Sequence, residues 1–163
     1  MKYLIGDEAK VAEEFMGKAV IIAKDALCLR SKCGSIIIKD NEIIGKGFNS
    51  PPYNLENQRC LNEKSQYDNK ITDKTCCVHA EQRAIMDALA KNSEKLKDSV
   101  LYFIRLDENG NKSFAGKPYC TICSKMALDV GIKEFVLWHE EGICSYNTKE
   151  YNDLSFGFKQ IQS

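Results

Sequence analysis

Two short stretches dictate most of what this chain can become. In CCVHAEQRAI (residues 76–85) and KPYCTICSKMA (residues 117–127), metal-binding side chains crowd against the beginnings of amphipathic runs. His79, one of two histidines in the chain, stands in the first stretch beside Glu81 and the thiols of Cys76 and Cys77. Cys120 and Cys123 stand in the second, which begins its metal-binding pair 41 residues after His79. Three-residue spacing on a helix puts both sulfurs on one face, and a helix N-terminus favours the thiolate. One imidazole and two thiolates form a zinc donor set, with the fourth tetrahedral position left for water. Such a site makes a nucleophile available near neutral pH. A fold that uses these residues together must bring two helix starts to one point.

Glu81 lies two residues from His79, roughly the opposite face of a regular helix. With a non-helical residue before the first turn, its carboxylate can approach the water from beside the metal. There it can accept a proton and hand it to a leaving group. The opposing reading is a closed site in which Cys76 or Cys77 supplies a fourth protein ligand, giving a non-catalytic structural zinc module.

A length of 163 residues is one domain's worth, so a single domain over residues 1–163 is expected. A helix is expected from Asp7 to Leu27, with Val11, Phe15, Ala19, Ile22 and Ala26 inward. A hairpin follows, Ser35–Lys39 and Glu42–Phe48 flanking Asp40-Asn41, with Gly45 and Gly47 marking a bulge or a close backbone approach. Residues 49–75 are polar and aperiodic, and loops of that length inside compact domains are usually functional. A second helix runs from Val78 to Lys91 on Ala80, Ala84, Ile85, Ala88 and Leu89. Then come a strand over Ser99–Leu106, a turn-rich excursion over 107–117, a helix from Thr121 to Val130, and a strand over 133–138. A last helix repeats Tyr151, Leu154 and Phe158. This alternation predicts an α/β fold with helices on both faces of a mixed sheet.

Lysine plus arginine equals aspartate plus glutamate at 23 each. That neutrality argues against a general binder of polymeric nucleic acid and suits a small substrate. No secretion signal or membrane-length apolar run is visible, so the expected compartment is cytoplasmic and the eight cysteines reduced. Cys28, Cys33 and Cys144 read as small core hydrophobes, and His139 as a solvated loop residue. Arg59, Lys64, Lys70 and Lys74 lie in the long loop, where a nucleotide phosphate would need cations; the plainer reading is a solvated surface. Tyr146, Tyr151, Phe156 and Phe158 read as packing groups, one of which can cap a pocket.

His79-Ala80-Glu81 followed by Cys120-x-x-Cys123 resembles the zinc-dependent cytidine deaminase-like superfamily, whose signature is H-x-E followed by P-C-x-x-C. GFNSPP (residues 47–52) is similar to the G-[YF]-N-x-x-P segment of its deoxycytidylate (dCMP) deaminase branch. The resemblance covers roughly residues 10–140. It implies a three-layer α/β/α fold with a sheet of about five strands. It also implies Zn2+ on His79, Cys120 and Cys123, with Glu81 as a proton shuttle outside the ligand set. Asn49 falls on the asparagine that contacts the substrate's sugar, and backbone groups near Ala80 would steady the base.

The implied reaction is hydrolytic deamination of a free nucleotide or nucleoside, dCMP first, by a homo-oligomer. Deaminases of tRNA adenosine, guanine or other heterocycles share the zinc motif and are the alternatives. Some dCMP deaminases hold a structural zinc in the long loop, as Cys60, Cys76 and Cys77 could here; ordinary thiols are the other reading. Three features depart from the family pattern. Tyr119 separates Pro118 from Cys120, Arg83 replaces a common asparagine, and the 107–117 excursion is inserted before the second motif.

Overall fold

Asp40 and Asn41 both take positive φ, 50° and 64°, the backbone that closes a two-residue hairpin between twisted antiparallel strands. The computed structural model, which describes residues 1–56, 58–71 and 73–157, builds outward from that hairpin. Its elements are β1 (Lys2–Tyr3), α1 (Gly6–Ala23), β2 (Lys32–Lys39), β3 (Glu42–Phe48), α2 (Ala80–Lys91), β4 (Val100–Leu106), β5 (Lys112–Ser113), α3 (Thr121–Asp129), β6 (Glu134–His139), β7 (Gly142–Asn147) and α4 (Thr148–Phe156). One sheet runs in the order β1-β7-β6-β4-β2-β3, with β5 paired to β4. Five strands are long; β1 and β5 add two residues each. The β4–β6 pair is parallel and the other pairings are antiparallel.

Alternation along β2 splits the core into two layers. Ile36 and Ile38 face α1, meeting Ala12, Phe15, Met16 and Ala19 together with Tyr102, Ile104 and Val136. Ile37 faces the other way, with Leu101, Phe135 and Leu137, against Ala84, Ile85 and Ala88 of α2, Ala127 of α3 and Tyr151 of α4. Helices therefore cover both faces of a mixed sheet, as expected.

Both readings of the β3 glycines hold. Ile37 pairs with Gly45 but Ile38 with Ile43, so a bulge sits there. A Cβ on Gly45 would fall 2.4 Å from the Ala84 carbonyl oxygen, and one on Gly47 2.4 Å from both the Ala80 oxygen and the Ala84 nitrogen. Gly34 does the same for α1, 2.4 Å from the Ala19 oxygen. These close approaches correct two helix faces. The residues that fit against Gly34 are small ones, Ala19 and Ala23, Ala12 is buried on the same helix, and Val11 turns outward at 47% exposure. On α2 the stripe is Ala80, Ala84 and Ala88, and Leu89 is left 46% exposed. α1 also stops at Ala23, short of Leu27, where the chain tightens through bonds from Asp25 to Ile22 and Ala26 to Ala23.

The tail differs more. GICSYN forms β7, antiparallel to β6, where no strand was expected. Cys144 and Tyr146 join one core layer, Ile143 packs against the other and Ser145 is buried as well, so burial on both faces leaves no simple apolar–polar alternation. That hairpin makes His139 the last residue of β6 rather than a loop residue. Its Nδ1 lies 3.2 Å from the Ala115 oxygen and its Nε2 2.8 Å from the Tyr146 hydroxyl. Tyr151 packs inward, stacked on Phe135 at 4.1 Å between ring centroids, while Leu154 and Phe156 are exposed. Phe158 lies outside the described residues. No helix among the described residues is long and apolar enough to cross a membrane.

One consequence positions the site. β3 and β4 both run antiparallel to β2, hence parallel to each other, and β4 is parallel to β6. So α2 and α3 are both crossover helices, starting beyond the carboxyl ends of β3 and β4. That edge is where open α/β sheets bind ligands. Gly47→Ala is expected to cost roughly 3 kcal/mol of stability through overpacking. Gly17→Ala, in a part of α1 with no other atoms within 4 Å of an added Cβ, should instead stabilise by about 0.5–1 kcal/mol. Denaturant melts of the two variants check both signs.

Candidate metal centre

His79 is the residue before the first turn of α2 and keeps extended backbone, φ −69° and ψ 154°. Its N–H donates to Gln82 Oε1 at 3.0 Å, the reciprocal half of a capping box. Cys120 holds the same place on α3, and its sulfur accepts from the Cys123 N–H at 3.5 Å. Across the gap, His79 Nδ1 lies 3.3 Å from the sulfur of Cys123 and 3.3 Å from that of Cys120. The three donor atoms fall within 4.8 Å of one another. Tetrahedral zinc with ordinary Zn–N and Zn–S bonds sets such neighbours about 3.6 Å apart. The donor set fits zinc in kind, number and spacing.

The three donors are electrostatically coupled to one another. The Cys123 thiol, hydrogen-bonded to Cys120, draws that group down to about 4 against the effect of burial, and His79 adds to the pull. Cys123 is pushed the other way, by the same bond and by burial. The Cys120 hydrogen bond lifts His79 to about 9. Glu81, the second residue of α2, is buried at 7% exposure. Burial pushes its carboxyl above the usual range, partly opposed by His79, and the carboxyl hydrogen-bonds with Cys123. The extended residue at the helix start has let Glu81 reach the donor cluster without lying on a shared helical face with His79.

Cys77 does not approach this cluster. It belongs to a second group, in which the sulfurs of Cys28, Cys60 and Cys77 lie within 4.8 Å of one another. Cys60 and Cys77 are 3.4 Å apart, and Cys76 hydrogen-bonds with Cys60. Cys28, read from the sequence as a core residue, is thus a member of a thiol cluster. Nothing periodic announces it, because the end of α1 brings it in from 32 residues before Cys60.

Above the first cluster opens a cavity of about 370 Å³, within the range of small-molecule sites. His79, Ala80 and Glu81 line it, as do Asn49 after β3, Phe103 and Arg105 near the end of β4, and Tyr119 before α3. Asn49 is buried, with Oδ1 accepting from the Cys33 N–H and Nδ2 donating to the Ser31 oxygen, each at 2.8 Å. One N–H and one lone pair of that amide remain beyond these bonds. Ala80 opens α2, where N–H groups have no intrahelical partner.

The long loop forms one wall. Its neck is closed by a two-way backbone bridge between Ser50 and Val78. Arg83 clamps the neck, donating to the Pro51 carbonyl at 3.0 Å. The excursion over 107–117 forms the opposite wall: β5 folds back on β4, Ala115 N–H donates to the Trp138 oxygen at 2.8 Å, and Ala115 and Gly116 face the cavity. Arg30, Arg59, Lys64, Lys74 and Arg105 line the cavity, and Glu81 is its one acidic lining residue among those described. Lys70 is exposed and lies elsewhere on the loop. Arg30 and Arg105 carry no sequence signal for this role. Gln82 had one, the glutamine three residues after a helix-capping position.

Residues 9–139 match the family described as the cytidine and deoxycytidylate deaminase zinc-binding region. A deoxycytidylate deaminase of Schizosaccharomyces pombe is 27% identical over 139 residues, which are 82% of this chain but 37% of that protein. The chain therefore spans little more than a third of that relative. The deoxycytidylate deaminase of Mycobacterium phage D29 is 26% identical over 132 residues, 76% of this chain and 91% of that protein. Among solved structures, the dCMP deaminase of cyanophage S-TIM5, in complex with dCMP and dUMP, matches with a TM-score of 0.55 at 26% identity, over 77% of this chain and 79% of that one. A cytidine deaminase from Burkholderia pseudomallei has a TM-score of 0.57 at 15% identity, over 85% and 94%, and shares the fold. With its sheet, its two crossover helices and its His-Cys-Cys cluster in place, the chain belongs to the cytidine and deoxycytidylate deaminase zinc-binding family.

Proposed function

We propose that the protein is a zinc-dependent hydrolase that deaminates the base of a free nucleotide, dCMP first, giving dUMP and ammonia. One observation carries this reading: a buried carboxyl, Glu81, lies against a three-ligand His-Cys-Cys cluster at the floor of a nucleotide-sized cavity. The separate grouping of Cys77 favours an open site over a closed structural one. When bound, zinc supplies an acidified water as the nucleophile. Glu81 would take one proton from the attacking water and give it to the ring nitrogen, then take the second from the hydroxyl left on the carbon and give it to the amino group, which departs as ammonia. Burial raises the carboxyl's proton affinity, which suits a group that must hold a proton between taking and returning it.

The remaining capacity of the Asn49 amide orients the sugar, and the free amide edge at Ala80 steadies the base. Gln82 keeps the His79 backbone in its extended form. The five cations of the cavity suit a phosphate group, and the phage and yeast relatives are dCMP deaminases. Cys28, Cys60, Cys76 and Cys77 offer four thiols, the donor number of a closed structural zinc site.

Ammonia release from a panel of dCMP, deoxycytidine, adenosine and guanine tests the substrate. Activity on none of them, with zinc bound, would sink the reading. Glu81→Gln should retain zinc while turnover falls about a thousandfold, within the span of general acid–base effects; full activity in that variant rejects the mechanism. Gln82→Ala should weaken zinc binding roughly tenfold, as loss of a group that orients a ligand does, measured by competition with a chelating indicator.

A further inference from the structure

The cavity has two unlike linings. The segment before β2 and the long loop bring Arg30, Arg59, Lys64 and Lys74. β4, the 107–117 excursion and the turn before α3 bring Phe103, Ala115, Gly116 and Tyr119, with Arg105 the one cation among them. A nucleotide has two unlike ends to match, a charged phosphate and a flat base that packs on aromatic and apolar surface. The volume of about 370 Å³ lies near the small end of ligand sites, and it must take base, sugar and phosphate together.

A wall made from a surface excursion can reject a ligand only if it does not yield. DENGNKSFAGK is turn-rich and polar, yet the structure fastens it at successive points. Asp107 Oδ1 accepts from the N–H groups of Asn109 and Asn111 at 2.9 and 2.8 Å, and Ser113 pairs with Arg105 of β4. Phe114 packs on Trp138 at 4.4 Å between ring centroids, and Lys112 Nζ lies 5.1 Å from the centre of the same ring. The last point is Ala115. Its N–H donates to the Trp138 oxygen at 2.8 Å, and its own oxygen lies 3.2 Å from His139 Nδ1. Gly116 comes next and faces the cavity, with no atom but its chain neighbours' within 4 Å of an added Cβ.

Chemistry fixes the sense of the His139 bond. A carbonyl oxygen can only accept, so Nδ1 carries the proton, and Nε2 of the neutral ring then accepts from the Tyr146 hydroxyl at 2.8 Å. Tyr146 is buried and meets Tyr151 edge-on, 5.8 Å between centroids. The series Tyr146, His139, Ala115 therefore ties the wall to the core layer that holds Tyr151 and Phe135. His139 itself is not among the lining residues.

We propose that His139 is a positioning residue for the base end of the site: held by Tyr146, it fixes the wall of Phe103, Ala115, Gly116 and Tyr119 where a one-ring base fits above Glu81 and a two-ring base does not. On the same sugar and phosphate, the larger base must push the wall outward. The bonds at Ala115 and the Phe114–Trp138 contact oppose that movement. Selectivity is thus carried by a segment that departs from the family pattern, and the inference rests on the nucleotide reading above.

The probes are dCMP and dAMP, which share sugar and phosphate and differ in the base, so the cation lining cancels from their ratio. The quantity measured is the inhibition constant of dAMP against dCMP turnover, divided by KM for dCMP. In zinc-loaded wild type it should be about a hundred, within the range that a misfit in a shaped pocket produces. His139→Ala should lower it about tenfold on the same scale. His139→Asn, whose amide N–H can stand in for Nδ1–H, should restore most of it. A residue that served stability alone would weaken both ligands together and leave the ratio unchanged. Gly116→Val keeps the wall testable if the His139 variants do not fold. Its side chain enters the cavity, so Tm should hold while KM for dCMP rises about tenfold. An unchanged ratio in folded His139→Ala, a loss in His139→Asn as large as in His139→Ala, or a wild-type KM in Gly116→Val overturns the inference and leaves the deaminase reading intact. Wild type that binds dAMP as tightly as dCMP does the same. Wild type that releases no ammonia from dCMP overturns the nucleotide reading, and the inference falls with it.

Discussion

Two crossover connections that begin at the same edge of one sheet govern everything else in this molecule. Because β3, β4 and β6 share a direction, the helices that follow β3 and β4 must both start beyond the carboxyl ends of those strands. Residues 41 apart in the chain then meet, with His79 Nδ1 3.3 Å from two sulfurs. Both helix starts turn their positive dipole ends toward thiolate. The tolerance is small, and the sequence meets it with absence rather than bulk. Gly45 and Gly47 let α2 lie on β3 with its alanine stripe against bare backbone. Any side chain between them would lift the helix start, and His79 with it.

What the sequence disclosed follows from how many constraints each residue obeys. The two metal motifs were legible because coordination chemistry fixes both residue type and spacing. The hairpin was legible because Asp40 and Asn41 suit a left-handed backbone that few residues adopt. Glycines at 45 and 47 announced a close approach, yet one residue of each helix face, Val11 and Leu89, was misread, since large apolar residues draw attention and small ones make the contact. β7 went unseen because its short run is covered on both faces, Cys144 and Tyr146 on one and Ile143 on the other, and shows no apolar–polar alternation. His139 was misplaced for the same reason, since without β7 there is no partner strand to carry the Tyr146 hydroxyl to it. The second thiol group was half legible: Cys60 and Cys77 stand in one loop, but Cys28 arrives from the end of α1, and sequence distance hides such a neighbour.

The departures from the family pattern find structural places. Arg83 is a clamp from α2 onto the loop neck, bonded to the Pro51 carbonyl and lying over Phe48 at 5.8 Å. An asparagine is too short to span that gap. The 107–117 excursion is a small hairpin extension held to β6 through Ala115 and, by way of His139, to β7. Tyr119 stands at the cavity rim, 60% exposed. Tyr119 and the excursion line the cavity, Arg83 holds the loop neck, and none of them is among the donors.

Charge is arranged in the same way. A total of 23 basic and 23 acidic residues conceals any local field, since a sum has no geometry. In the folded chain, five cations converge on one cavity whose single acidic lining group among the described residues lies at its floor. A protein that tracks a polymer spreads its cations along a groove to follow many phosphates; here they gather around a volume of about 370 Å³. The floor is built from helix starts and strand ends that are buried and glycine-seated, and they fix Glu81 beside the three donors. Four of the five cations stand on chain outside the strands and α-helices. Regular structure thus carries Glu81 and the donor cluster, and the segments that meet at the thiols carry four of the cavity's cations.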